Sequence, residues 1–95
     1  MLEKDIEQKL VKAVKENGGI APKLTCPGFD GMPDRLVLLP KGRLAFVEVK
    51  APGKKLRPLQ EKRKRQLEKL GLLVFCLDEI EEIEKLIKEL TGGGA

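Results

Sequence analysis

The stretch GMPDRLVLLPKGRLAFVEVKAPGKK, Gly31 to Lys55, decides how this 95-residue chain folds. Two runs of strand composition, DRLVLLP and GRLAFVEVK, meet at Pro40-Lys41-Gly42-Arg43 and predict an antiparallel hairpin. A three-residue loop of Pro40, Lys41 and Gly42 pairs Leu39 with Arg43, because Gly42 tolerates the left-handed conformation such a loop needs and Pro40 has no amide proton. Counting back along that ladder sets Asp34 opposite Glu48, on one face and with Cβ atoms roughly 4.5–5.5 Å apart. Lys50, two residues on, shares the face. Val37, Leu38, Leu39, Ala45, Phe46, Val47 and Val49 belong in a core, so two carboxylates among them repel and lose hydration. A bridging divalent cation resolves that conflict. Oxygen donors alone, few in number, suit Mg²⁺ or Mn²⁺ rather than zinc. With an ammonium beside it, such a site points to phosphodiester hydrolysis. A plainer reading stays open from these residues alone, with Asp34 capping a turn and Glu48 and Lys50 forming a strand-end ion pair.

Before the hairpin, Leu2, Ile6, Leu10, Val11, Ala13 and Val14 fall on one face of a helix that Asn17-Gly18-Gly19 stops. IAPKLTC reads as a short strand, which Pro22 confines to an edge or a bulged start. CPGFDGMP is a loop whose position before the charged strand makes it a rim of the site. Both hairpin strands are apolar on both faces, so a central sheet flanked on two sides by helices is expected. APGKKLRP is a basic connector, and LRPLQEKRKRQLEKLG a helix with Pro58 in its first turn and Gly71 as its stop. LLVFCL is a buried strand with Cys76 as core filler, and Asp78 caps a last helix carrying Ile80, Ile83, Leu86, Ile87 and Leu90. The class is therefore α/β, with a mixed central sheet and the order αβββαβα. A single domain over residues 1–91 is expected, followed by a flexible Gly-rich tail at 92–95.

Charge is polarised along the chain. Residues 50–69 hold nine Lys or Arg against Glu61 and Glu68, a net of +7, whereas residues 78–90 hold six acids against Lys85 and Lys88, a net of −4. The basic segment is a phosphate-binding candidate and the acidic end faces away from a polyanion. With no Trp or Tyr and three Phe, reading single strands mainly by base stacking is disfavoured. The absence of His and the fifty-residue spacing of Cys26 and Cys76 exclude a zinc site. Neither a signal region nor a run of 18 apolar residues follows Met1, so a cytoplasmic location without membrane contact is expected.

PDRLVLL, the fourteen-residue step from Asp34 to Glu48, and EVK together resemble the PD-(D/E)xK nuclease superfamily. The longer pattern GMPDRLVLLPKGRLAFVEVKAPGKKLRPLQ, followed by LEKLGLLVFCLD, resembles its virus-type replication-repair nuclease (VRR-NUC) family in the compact stand-alone form of phages and prophages. That resemblance implies a restriction-endonuclease-like core in which Asp34, Glu48 and the backbone carbonyl of Val49 hold the metal and Lys50 acts on the attacking water. It also implies an acid from the first helix, Glu7 by its place in EQKLVKAVKENGG, with Glu3 a turn earlier as the alternative. Gln60 matches a glutamine expected near the scissile phosphate. Arg35, Lys54, Lys55, Arg57, Lys62 and Arg63 are the candidate DNA contacts.

The expectation is an Mg²⁺- or Mn²⁺-dependent endonuclease of branched DNA, acting in the cytoplasm of a phage's bacterial host. Holliday junction resolution by a homodimer heads the substrate list, since one site cuts one strand and two symmetric cuts need a two-fold axis. The alternative is a non-catalytic DNA-binding or assembly module on the same fold. A half-subunit of a sequence-specific restriction enzyme is a third reading, for which no recognition domain is visible.

Overall fold

Ile6, Leu10 and Val14 recur at every fourth position and all three are fully buried, which fixes the inner face of α1 (Glu3–Glu16). The Asp5 carboxylate reaches back to the Leu2 amide at 2.8 Å and satisfies one of the free donors of the helix start. The computed structural model describes residues 2–92; α1 is followed by β1 (Arg35–Leu39), β2 (Arg43–Val49), α2 (Pro58–Lys69), β3 (Leu73–Leu77) and α3 (Glu81–Leu90). Of the tail expected at 92–95, residues 93–95 lie outside the described residues.

The hairpin has the expected register, Leu39 with Arg43 through Arg35 with Val47. Its connection is a tight turn, Pro40–Gly42, in which both Lys41 (φ 70°) and Gly42 (φ 69°) are left-handed. β3 lies parallel to the other edge of β2, so the sheet runs β1-β2-β3 and is mixed. The crossover between β2 and β3 is α2, as a parallel pair requires.

Three expectations change. IAPKLTC is not a strand, so the order is αββαβα. Residues 20–24 nevertheless lie along the free edge of β1. Ile20 and Leu38 exchange both hydrogen bonds, Leu36 N–H donates to the Pro22 carbonyl at 3.0 Å, and Leu24 N–H to the Asp34 carbonyl at 2.8 Å. Pro22 cannot return a bond to Leu36, so the ladder breaks into two isolated bridges. The last helix starts at Glu81 rather than after an Asp78 cap, because Glu82 reaches back to the amides of Asp78 and Glu79, both at 3.2 Å. The two sheet faces are also unequal. α1 and α3 bury Val37, Leu39, Ala45, Val47, Val49 and Leu77 on one face. On the other, α2 packs against β3, and Leu36, Leu38, Leu44, Phe46 and Val74 stay half-buried.

Candidate active site

Asp34 immediately precedes β1, and one further step of the observed register places it opposite Glu48 near the end of β2. The Val49 amide donates to Asp34 Oδ1 at 3.4 Å, which ties the entry of the hairpin to its exit. Lys50 leaves the sheet through its own amide bond to the Leu77 carbonyl at 2.8 Å, and its Nζ lies 3.8 Å from Glu48 Oε2. Pairing of β2 with β3 sets Cys76 beside Glu48. Cys76 is thus half-buried against the charged cluster rather than core filler, and burial together with Asp78 and Glu48 pushes its thiol up.

The electrostatics are those of an over-charged site. Glu48 is 8% exposed, and loss of hydration, then the Asp34 charge, push it up to about 7 in spite of Lys50. Asp34 is raised as well, chiefly by burial, with Glu7 and Glu3 adding repulsion and the Val49 amide opposing. One ammonium does not neutralise these carboxylates. The donor set of Asp34, Glu48 and a nearby carbonyl matches a hard divalent cation in charge and chemistry. Among the described residues no group of three or more His, Cys, Asp or Glu side chains converges.

The remaining candidates divide. Glu7 is held by Arg35, whose Nε donates to Glu7 Oε2 at 3.2 Å while its NH1 donates to the Ala21 carbonyl at 2.7 Å. Arg35 points to the α1 face of the sheet and braces helix, edge ribbon and strand. Glu3 is exposed and acts on both Asp34 and Glu48 through space. Gln60 is buried, and its Oε1 accepts the Arg57 amide at 2.9 Å, a reach-back cap on α2 that leaves its NH₂ as the free end. Lys54, Lys55, Arg57 and Lys62 are exposed, and their side chains make no hydrogen bond or ion pair among the described residues. Arg63 instead stacks on Phe29 and holds the loop before Asp34.

A groove of about 640 Å³ lies between α1 and α3, lined by Ala13, Ile83 and Ile87 and by none of Asp34, Glu48 and Lys50. Chemistry, not concavity, singles out the Asp34–Glu48–Lys50 cluster.

Comparison with known proteins agrees with this geometry. The family model described as "VRR-NUC domain" matches residues 3–78. "Putative nuclease p44" of Acyrthosiphon pisum secondary endosymbiont phage 1 is 50% identical over 76 residues, 80% of this chain and 82% of that protein. A solved structure described as a VRR_NUC domain superposes with a TM-score of 0.86 at 31% identity, covering 93% of this chain and 97% of its own. The match spans α1 through the end of β3, including both strands that carry the carboxylates, and the chain belongs to the VRR-NUC family, the virus-type replication-repair nucleases.

Proposed function

We propose that the chain is an Mg²⁺- or Mn²⁺-dependent endonuclease that cuts branched DNA, with the four-way junction as its first substrate and a homodimer as its working form. The observation that carries this reading is the Asp34–Glu48 pair, opposed across two strand ends, raised in pKa and flanked by Lys50. Paired carboxylates weaken binding of a polyanion unless a cation joins them, so a pure DNA-binding module has no use for them.

Asp34, Glu48 and the Val49 carbonyl are the groups that would hold the cation. When bound, it supplies Lewis acidity toward the scissile phosphate. Lys50 positions the attacking water and faces the charge that develops on the phosphoryl oxygens. The NH₂ of Gln60 donates to a non-bridging oxygen. Water attacks phosphorus in line, a P–O bond forms as the bond to the 3′ oxygen breaks, and that oxygen takes a proton. A 5′-phosphate and a 3′-hydroxyl result. Lys54, Lys55, Arg57 and Lys62 hold the backbone of the arms, and two copies related by a two-fold axis place two such sites for symmetric cuts. The protein acts in the cytoplasm of the phage's host; no helix among the described residues is long and apolar enough to cross a membrane.

The test is cleavage of an end-labelled synthetic four-way junction against linear duplex of the same sequence, in Mg²⁺, Mn²⁺ or EDTA. Paired symmetric nicks in the junction, dependent on metal, are expected. Metal-independent binding without cutting of either DNA contradicts the proposal.

A further inference from the structure

Phe29 is 47% exposed, whereas the only other aromatics of the chain, Phe46 and Phe75, are half-buried in the sheet. An exposed loop aromatic is ordinarily mobile, but this one is fastened. The Arg63 guanidinium lies 3.8 Å from the ring centroid, its Nε donates to the Asp30 carbonyl at 2.7 Å and its NH1 to Gln66 Oε1 at 2.9 Å. Gly31, with φ +89°, brings the loop onto α2 so closely that a Cβ there would lie 2.7 Å from Leu59 Cγ and 2.9 Å from the Leu59 carbonyl. Swinging the ring away costs the stack on Arg63, while the Arg63–Asp30 bond holds the backbone that carries it.

Position gives the stack a purpose. Phe29 precedes Asp34 by five residues, a span of at most roughly 18 Å. Arg63 lies one helical turn beyond Gln60. Arg63 belongs to the segment of net charge +7, in which Lys62 and Arg65 are exposed, and the loop that carries Phe29 leads directly into Asp34. Linear duplex hides its base faces in its own stack, whereas a branch point leaves the face of a terminal pair or an unpaired base uncovered. A rigid aromatic face stacks on any base and loses little freedom in doing so.

We propose that the Phe29–Arg63 stack is the branch-reading surface of this protein, and that its ring takes the uncovered base face at a DNA branch point. This rests on the reading of the chain as a nuclease of branched DNA. Arg63 is then a positioning residue rather than a phosphate contact.

The test is equilibrium binding in EDTA of a four-way junction with 2-aminopurine at the branch point, and of linear duplex, by wild type, Phe29→Ala and Phe29→Trp. Expected is a change in 2-aminopurine fluorescence with wild type and Phe29→Trp. For Phe29→Ala, junction affinity should fall about 5- to 150-fold while duplex affinity holds within about twofold. Equal loss on both DNAs, no loss on either, or a change in oligomeric state measured by sedimentation overturns the proposal; the last would make Phe29 part of an interface between copies. Cutting by wild type in Mg²⁺, run in parallel, separates the two readings. A wild type that cuts junctions and a Phe29→Ala protein that still prefers them sink this inference alone. A wild type that cuts nothing sinks the nuclease.

Discussion

Glu48 departs furthest from its ordinary chemistry, and its protonation is tied to folding. In the metal-free folded protein it keeps its proton up to about pH 7, while an ordinary glutamate releases it near 4.5. The folded state binds the extra proton between those values, so the stability linked to it is full below about pH 4.5 and lost as pH rises to 7. Glu48→Gln carries no such charge. The metal-free variant should gain on the order of 1–2 kcal/mol over wild type at pH 8 relative to pH 5, after allowance for solvent screening, in urea unfolding at the two pH values. An identical difference at both contradicts the assignment. Arg35 gives a second expectation at this scale. Truncation to Ala leaves the Glu7 carboxylate and the Ala21 carbonyl without their donor and should cost about 1–3 kcal/mol by the same measurement. A cost below about 0.5 kcal/mol would make the brace an incidental surface pair. The sequence discloses the Asp34–Glu48 juxtaposition because a loop of fixed length sets the register. It does not disclose that Arg35 turns inward, since Glu7 and Ala21 reach it only when α1 and the edge ribbon dock. Nor does it place Cys76 beside Glu48, because parallel register comes from how α2 packs and not from any turn.

Elements show the same division between local and distant causes. α1, α2 and β3 begin and end close to where the periodicity and the Pro58 and Gly71 punctuation put them. Residues 20–24 fail as a strand through one missing N–H, although they carry the geometry of an edge. α3 starts late because Glu82 supplies the cap that Asp78 has the composition for. The loop from Cys26 to Pro33 behaves as an element in its own right, since Arg63 bonds it to α2 and Gly31 admits no side chain there. Arg63→Ala should release it. Amide exchange at residues 28–32 should quicken by an order of magnitude or more, as expected when a local clamp worth about 1.4 kcal/mol is removed, while α1 amides keep their protection. Unchanged exchange in the loop would show that Leu59 and Gly31 hold it without Arg63. Leu10→Ala is the contrasting case: fully buried beneath the sheet, it should cost about 2–5 kcal/mol and speed exchange everywhere.

Across the whole molecule, charge separates by sequence region, with the basic connector and α2 against the acidic α3. The sequence discloses that polarity in full, but not which cations are free. Lys64 is paired with Glu68 at 3.0 Å, Arg63 with the loop and Arg35 with Glu7, which leaves Lys54, Lys55, Arg57 and Lys62 among the candidate contacts. Each of those four changed to Ala should reduce the slope of log K against log salt by about 0.9 for duplex DNA, whereas Arg35→Ala should leave it unchanged. In the proposed function, binding and cutting reside in different groups of one surface: exposed cations would hold the DNA, and the Asp34–Glu48–Lys50 cluster would hydrolyse it. The most direct measurement compares Glu48→Gln and Lys50→Ala with wild type for cleavage of a labelled four-way junction in Mn²⁺ and for its binding in EDTA. Loss of cutting by at least about 10³-fold, the scale of removing one transition-state donor, with binding held or tightened, is the predicted result. Cutting that survives Glu48→Gln, or that disappears together with binding, contradicts the assignment of the site.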